Sequence, residues 1–341
     1  MSKQDLFDQL DDALNAVLTS RDAQSLPLHP SLRPLVSLGD NLRSLPRPEF
    51  KAVLRAKLTA EYRKNQLKNE ASPGSSPETT LIPAHTNPIR EGFHTITPYL
   101  HPRSADRLIA FLTEAFGAEL IVRVPRSDGS VMHAQLRIGD SMIEMGEPQG
   151  PYKVLPSAIH LYVPNADAVY ESALRAGAVS LQPMTEQAYG DREGCVRDPE
   201  NNNWYIATHR LTGSAPRGLR TITPYIHAQG ADKVVEFLIR GFGAQELERA
   251  QSADGIIHHA KLRLGDSVLE IGEAHGQWQA MPAALHLYVP DTDALYDRVI
   301  AAGGISMSPP ADAPYGDRAA VVSDQFGNFW YLATQLRVEP T

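Results

Sequence analysis

Two glutamates and two histidines stand where strand alternation turns them away from an apolar face. In SMIEMG (141–146), Ile143 and Met145 share one side and Glu144 takes the other. In AIHLYV (158–163), Ile159, Leu161 and Val163 share a side, which leaves His160 and Tyr162 opposite. The same alternation in MHAQLRI (132–138) turns His133, Gln135 and Arg137 away from Ala134, Leu136 and Ile138. A later stretch repeats the set with Glu270, His286, Tyr288, His259, Lys261 and Arg263. Polar side chains on an enclosed face need partners, since an unpaired one costs about 1–3 kcal/mol. Three arrangements supply them. Glu and His can hold a divalent metal (Zn, Mn, Fe or Ni) beside a carbonyl and enol pair. Glu144 can instead pair with His133, His160 or Arg137 in a metal-free polar pocket, or the set can form an ordinary core network. In a catalytic site, Glu144 and Glu270 would be general bases raised by burial.

The elements that must position these residues come from a repeat. TITPYLH (95–101) returns as TITPYIH (221–227), a shift of 126 residues. The same shift carries LRIGDSMIEMGE onto LRLGDSVLEIGE, HLYVP onto HLYVP, and YGDR (189–192) onto YGDR (315–318). A period this long makes each copy a domain rather than a solenoid unit. Within each copy a fainter repeat has a strand, a Pro-containing turn, a helix opened by Ala-Asp, and three further strands. Leu108, Phe111, Leu112 and Phe116 recur at helical spacing, with Gly117 as the stop. Each copy therefore holds two β-α-β-β-β modules. DPENNN (198–203) and DQFGN (324–328) read as turns. Trp204 and Trp330 belong to the packing face, and Cys195 has no activating neighbour in sequence.

The stretch before the repeats differs. Leu6, Phe7, Leu10, Leu14, Val17 and Leu18 form one helical stripe, and Phe50, Val53, Leu54 and Leu58 form a second. Residues 1–68 hold 11 Lys/Arg against 8 Asp/Glu, within a chain of 341 residues whose net charge is −8. The expected layout is a helical segment (1–68), a Pro/Ser-rich linker (69–91), and domains at 92–212 and 218–338. The basic helices offer a surface for a protein partner. The acidic balance argues against nucleic acid. No apolar run is long enough to span a membrane, a single cysteine excludes an intrachain disulfide, and the expected location is the cytoplasm.

Paired β-α-β-β-β modules closing on YGDR…DP…N-x-W resemble the vicinal-oxygen-chelate superfamily, most closely its glyoxalase/bleomycin-resistance-like branch. TITPYL, AFGAE, HAQLRIGDS and DPENNNWYIATH carry the resemblance. It implies an α+β fold of tandem domains, each of two βαβββ modules forming a cup, arranged as an intrachain pseudo-dimer behind the small α-helical segment. It further implies a glyoxalase-like enzyme of the lyase, isomerase or dioxygenase type acting on a small oxygen-rich or aromatic compound. The alternative is a non-catalytic binding, resistance or sensing protein. Metal-binding relatives place ligands on the first and last strand of each module. Glu144, Glu270, His160 and His286 sit at or near such positions, whereas Thr97, Thr223, Tyr205 and Tyr331 replace the others. His133, His259 or His101 would then complete a metal set. Within one copy each, Glu144 with His160 and Glu270 with His286 would form the two sites. Tyr162, Tyr288, Arg137, Arg263, Arg192 and Arg318 would orient substrate, with Asp191 structural. The change of His209 to Gln335 falls late in a terminal strand, where it need not touch the chemistry.

Overall fold

The computed structural model describes residues 89–336 except Glu91 and Arg217. The expected helical segment and nearly all of the linker lie outside the described residues.

Each copy contributes eight strands and two α-helices in the expected order, and in the second copy a π-helical turn, Leu238–Phe242, continues the first of its helices. The first copy holds β1 (Ile96–Leu100), α1 (Ala105–Phe116), β2 (Glu119–Pro125), β3 (Val131–Ile138) and β4 (Ser141–Met145), followed by β5 (Ala158–Tyr162), α2 (Ala166–Arg175), β6 (Val179–Glu186), β7 (Asp191–Arg197) and β8 (Asn203–His209). The second holds β9 (Ile222–Ala228), α3 (Ala231–Phe237), β10 (Gln245–Gln251), β11 (Ile257–Leu264), β12 (Ser267–Glu273) and β13 (Ala284–Tyr288), then α4 (Thr292–Ala301), β14 (Ile305–Asp312), β15 (Asp317–Ser323) and β16 (Phe329–Gln335). Helix boundaries follow local chemistry. Ser104 caps α1 by accepting from Arg107 N, and Gly117 ends it in the left-handed region at φ 67°. Asn165 and Asp291 cap α2 and α4 in the same way. Gly230 has no side chain to cap α3, so Glu273 accepts from the amides of Gly230 and Ala231 at 2.9 and 2.7 Å.

The strands form two eight-stranded sheets, and neither belongs to one copy. One runs β14-β15-β16-β13-β1-β4-β3-β2; the other runs β10-β11-β12-β9-β5-β8-β7-β6. Two modules make each sheet, as expected, but one module comes from each copy. The joins are antiparallel: Thr97 lies opposite His286 where β1 meets β13, and His160 opposite Thr223 where β5 meets β9.

The Gly-Asp-Ser turns explain how the copies lock. Asp140 Oδ1 accepts from Thr221 N at 3.0 Å, and Ser141 Oγ accepts from Ile222 N at 3.2 Å, at the entrance to β9. Asp266 and Ser267 do the same for Thr95 and Ile96 at the entrance to β1. Gly139 and Gly265 have φ of +57° and +56°, and a Cβ at either would strike the threonine of the other copy.

The two large apolar cores follow the copies instead. Helices α1 and α2 pack together over a core of first-copy residues including Leu108, Leu112, Leu136, Ile159 and Trp204. Helices α3 and α4 cover the second-copy core of Val234, Leu238, Leu262, Val299 and Trp330. Asp198 and Asp324 seat the tryptophans, accepting from Trp204 Nε1 at 2.9 Å and Trp330 Nε1 at 3.0 Å. Each copy thus has its own core, while the polar sheet faces are shared. Among the described residues no helix is long and apolar enough to cross a membrane.

Candidate functional site

The crossing of copies decides which side chains meet. In the cup of β1–β4 and β13–β16, Glu144 Oε2 lies 2.5 Å from His286 Nδ1. Its other oxygen accepts from Gln135 Nε2 at 3.1 Å and has His133 Nε2 at 3.7 Å. In the cup of β5–β12, Glu270 Oε2 lies 2.9 Å from His160 Nδ1, and Oε1 lies 3.3 Å from His259 Nε2. The pairs expected within one copy, Glu144 with His160 and Glu270 with His286, are not formed. Glu144 meets His286 and Glu270 meets His160, because β1 pairs with β13 and β5 with β9.

Both glutamates are 1% exposed. Burial alone would raise Glu144, but the charge and hydrogen bond of His286, with His133 and Gln135, hold it below the usual carboxylate range. Burial likewise opposes ionisation of Glu270, and His160 with His259 outweighs it. The expectation of a glutamate raised by burial therefore fails: imidazoles face both carboxylates. Burial alone would lower His160, yet Glu270 and Glu193 push it up to about 10. His133 moves the other way, since burial dominates the pull of Glu144 and keeps its neutral form.

The second cup has two further acidic groups, Asp191, which was expected to be structural, and Glu193, which the sequence reading left out. Asp191 Oδ1 lies 2.5 Å from His209 Nδ1, and Oδ2 accepts from Tyr162 Oη at 3.2 Å. Glu193 Oε2 is 3.0 Å from His160 Nε2, and Oε1 accepts from Tyr189 Oη at 3.1 Å. In the first cup, Asp317 answers to Asp191, but Ala319 replaces Glu193 and Gln335 replaces His209. Arg90, placed in the linker by composition, supplies the missing cation and donates to both Asp317 oxygens at 3.0 and 3.1 Å. His209 is thus part of a site, and its loss at Gln335 is matched by the gain of Arg90. Alternation along β7 puts residues 191 and 193 on one face, a signal that was present in the sequence.

Tyr162 and Tyr288 do face the cups, stacked on His160 and His286 at 4.2 and 4.6 Å between ring centres. The four arginines do not enter. Arg137 is exposed and pairs with Glu119 at 2.5 Å, one pleat beyond Gln135. Arg263 bonds Gln245 on the neighbouring edge strand. Arg192 grips Asp167 at the start of α2 at 2.6 Å, and Arg318 grips Asp293 in α4 at 2.7 Å. Alternation sends Asp191 and Asp317 inward, so the adjacent arginines point outward to the helices. Cys195 is fully buried and its thiol is pushed up by burial, which leaves it unreactive.

An aromatic group lines the other end of each cup. Tyr99, His101, Tyr152 and Tyr331 line a cavity of about 250 Å³ with Arg126, Met132 and Glu147. His101 Nε2 is 2.8 Å from Tyr331 Oη. Tyr225, His227, Trp278 and Tyr205 repeat the cluster in the second cup, where Tyr205 Oη is 2.8 Å from His227 Nε2. Burial holds both of these histidines at about 4, so each is neutral.

Among the described residues one group of three could hold a metal ion: His160, Asp191 and Glu193, whose ligand atoms lie within 4.8 Å of one another. His160 Nε2 faces Glu193 Oε2 at 3.0 Å, and one imidazole nitrogen beside two carboxylates is a donor set that fits a divalent cation. Of the expected metal set, Glu144, His133 and His286 gather in one cup, and Glu270, His160 and His259 in the other.

Two copies of one fold, sharing two polar cups between them, define the class. The Glyoxalase/Bleomycin resistance protein/Dioxygenase superfamily pattern matches residues 92–206 and 226–332, and the chain belongs to that superfamily. It is 36% identical over 122 residues to the uncharacterized protein Rv0887c of Mycobacterium tuberculosis, covering 33% of this chain and 72% of that protein. The uncharacterized protein Mb0911c of Mycobacterium bovis matches at the same identity over 80% of its length and 33% of this chain. The structure resembles glyoxalase I from Zea mays with a TM-score of 0.53 and 17% identity, over 70% of this chain and 92% of that one. That likeness is one of fold.

Proposed function

We propose that the protein is a glyoxalase-like enzyme whose cups move a proton on a small α-hydroxycarbonyl compound, of lyase or isomerase type. The carrying observation is a dyad within one copy: a buried, ionised Glu144 with a neutral, partly exposed His133 at 3.7 Å. His133 would take the proton from the carbon beside the carbonyl, giving an enediolate, and return it to the neighbouring carbon or to the same one. Glu144 would steady the imidazolium as it forms. Glu270 and His259 repeat the arrangement at 3.3 Å. Tyr288 and Tyr162 stand beside the dyads as groups to orient substrate. A divalent metal in a cup would polarise the carbonyl.

The aromatic cleft of Tyr99, His101, Tyr152 and Tyr331 favours an aryl substituent on the ligand. It also supports a second reading, in which the cups bind such compounds without turnover. Deuterium exchange separates the two. With 2-hydroxyacetophenone in D2O and a chelator present, exchange of the methylene protons should be catalysed and should fall at least tenfold in His133→Gln. Saturable binding without any catalysed exchange would support the binding protein and remove the enzyme.

A further inference from the structure

The aromatic end of the first cup contains a cation that no acid answers. Arg126 lines that cavity beside Tyr99, His101, Tyr152 and Tyr331. Its guanidinium is half-buried and donates to Ser130 Oγ at 3.3 Å, to Val131 O at 3.0 Å and to Glu147 O at 2.9 Å. These bonds hold it in place and leave at least two of its five N–H groups unused by the described residues. Its acidic neighbours face elsewhere. Asp128 accepts from Ser130 N and Oγ at 3.0 and 2.6 Å, and Glu147 Oε1 accepts from Ala105 N at 2.9 Å. A half-buried guanidinium without a counter-ion is costly until an anion joins it.

The walls determine what kind of anion fits. Tyr331 lies 4.8 Å from Tyr99 and 6.2 Å from Tyr152 between ring centres. A space of about 250 Å³ lies just below the roughly 300 Å³ at which pockets for drug-sized ligands begin, so it suits one ring with small substituents. Gly146 keeps that space open, because a Cβ there would strike Met132 O and Tyr99 Oη. Tyr99 also connects the cavity to the dyad, with its Oη 3.4 Å from His133 Nδ1. Burial and the charge of Glu144 push the Tyr99 hydroxyl up, and Arg126 is close enough to pull against them.

The second cup lacks this cation. Ser252 stands where Arg126 does, and Trp278 where Tyr152 does. Trp278 stacks on His227 with the rings 10° apart and packs on Tyr205 at 5.4 Å. Its buried acids Glu270, Glu193 and Asp191 have only histidines as charged partners among the described residues, and they repel an anion. We propose that Arg126 sets the specificity of the first cup: it selects a single-ring aryl compound bearing a carboxylate, held by charge-assisted hydrogen bonds, which the second cup rejects. This preference rests on the reading of the first cup as a site for an aryl hydroxycarbonyl compound, and adds the charge that such a compound carries.

Full-length protein is titrated by calorimetry with 4-(hydroxyacetyl)benzoate and with 4-(hydroxyacetyl)benzamide, which matches its shape without the charge. One equivalent of the carboxylate per chain should bind, about tenfold or more tighter than the amide. Arg126→Gln should remove that preference by weakening the carboxylate and leaving the amide unchanged. Equal affinities, a preference that survives Arg126→Gln, two equivalents of carboxylate per chain, or no binding of either compound would each overturn the proposal. Should Arg126→Gln fail to fold, the unmodified protein still decides. Saturating carboxylate should protect Arg126 from phenylglyoxal, read by peptide mass spectrometry, and modification at an unchanged rate overturns the assignment. Loss of the charge preference with deuterium exchange of 2-hydroxyacetophenone intact would remove Arg126 and keep the proton-transfer reading. An Arg126-dependent preference without any catalysed exchange would keep this assignment and leave a binding protein.

Discussion

Glu144 and His286 lie 142 positions apart in sequence, yet their carboxylate and imidazole are 2.5 Å apart and bridge the two copies. Glu270 and His160 repeat the relationship in the other cup at 2.9 Å. Each buried glutamate thus has one histidine from the other copy beside it and a second, His133 or His259, from its own.

Because the sheets cross between copies, the connector after Leu211 is not what holds the copies together. Its residues 211–213 are exposed. A protease site placed there and cut should leave the two fragments associated as one particle of unchanged size by gel filtration. Separation under native conditions would contradict the shared sheets.

His101 and His227 set a pH dependence. Burial holds each at about 4 in the fold, against about 6.5 in an unfolded chain. The unfolded chain takes up its protons first as pH falls, so the contribution of these two histidines to stability is full above pH 6.5 and is lost as pH falls toward 4. Between pH 7 and pH 5 the urea midpoint should fall, and the double variant His101→Gln/His227→Gln should flatten that fall. Equal slopes for both proteins would mean that other groups govern the window.

Arg90 offsets Asp317, which is buried and whose nearest permanent cation it is. Arg90→Ala leaves that carboxylate without its main donor. A loss of about 1–3 kcal/mol is expected from the unpaired acceptor, at the lower end because Arg90 is 31% exposed. Denaturant unfolding measures it, and Arg90→Ala/Asp317→Asn should recover part of the loss. No recovery would show that Arg90 acts through another partner.

Much of this was legible in the sequence. The 126-residue repeat and its inner half-repeat gave the elements and the family, and period-two alternation placed Glu144, His160, Tyr162 and their counterparts on the enclosed face. What alternation cannot tell is which strand lies alongside. When two copies are nearly identical, β1 beside β5 and β1 beside β13 have the same sequence signature, so Glu144 was matched to the wrong histidine. The arginines misled for a related reason. In YGDR the aspartate and arginine occupy opposite faces, and Asp191 is the one that points in. Arg90 was hidden by the Pro/Ser-rich composition of the stretch before it. The metal-ready trio was overlooked because Glu193 has no equivalent in the second copy, where Ala319 stands.

The sharing of each cup between copies is tested most directly by two double-mutant cycles on unfolding free energy. One combines Glu144→Gln with His286→Gln; the other combines Glu144→Gln with His160→Gln. Groups in direct contact couple by about 0.5–3 kcal/mol, and separated ones add within about 0.5 kcal/mol. The Glu144–His286 cycle should show coupling of at least about 1 kcal/mol, and the Glu144–His160 cycle should be additive. Coupling between Glu144 and His160, with additivity between Glu144 and His286, would place each cup within a single copy and contradict the arrangement described.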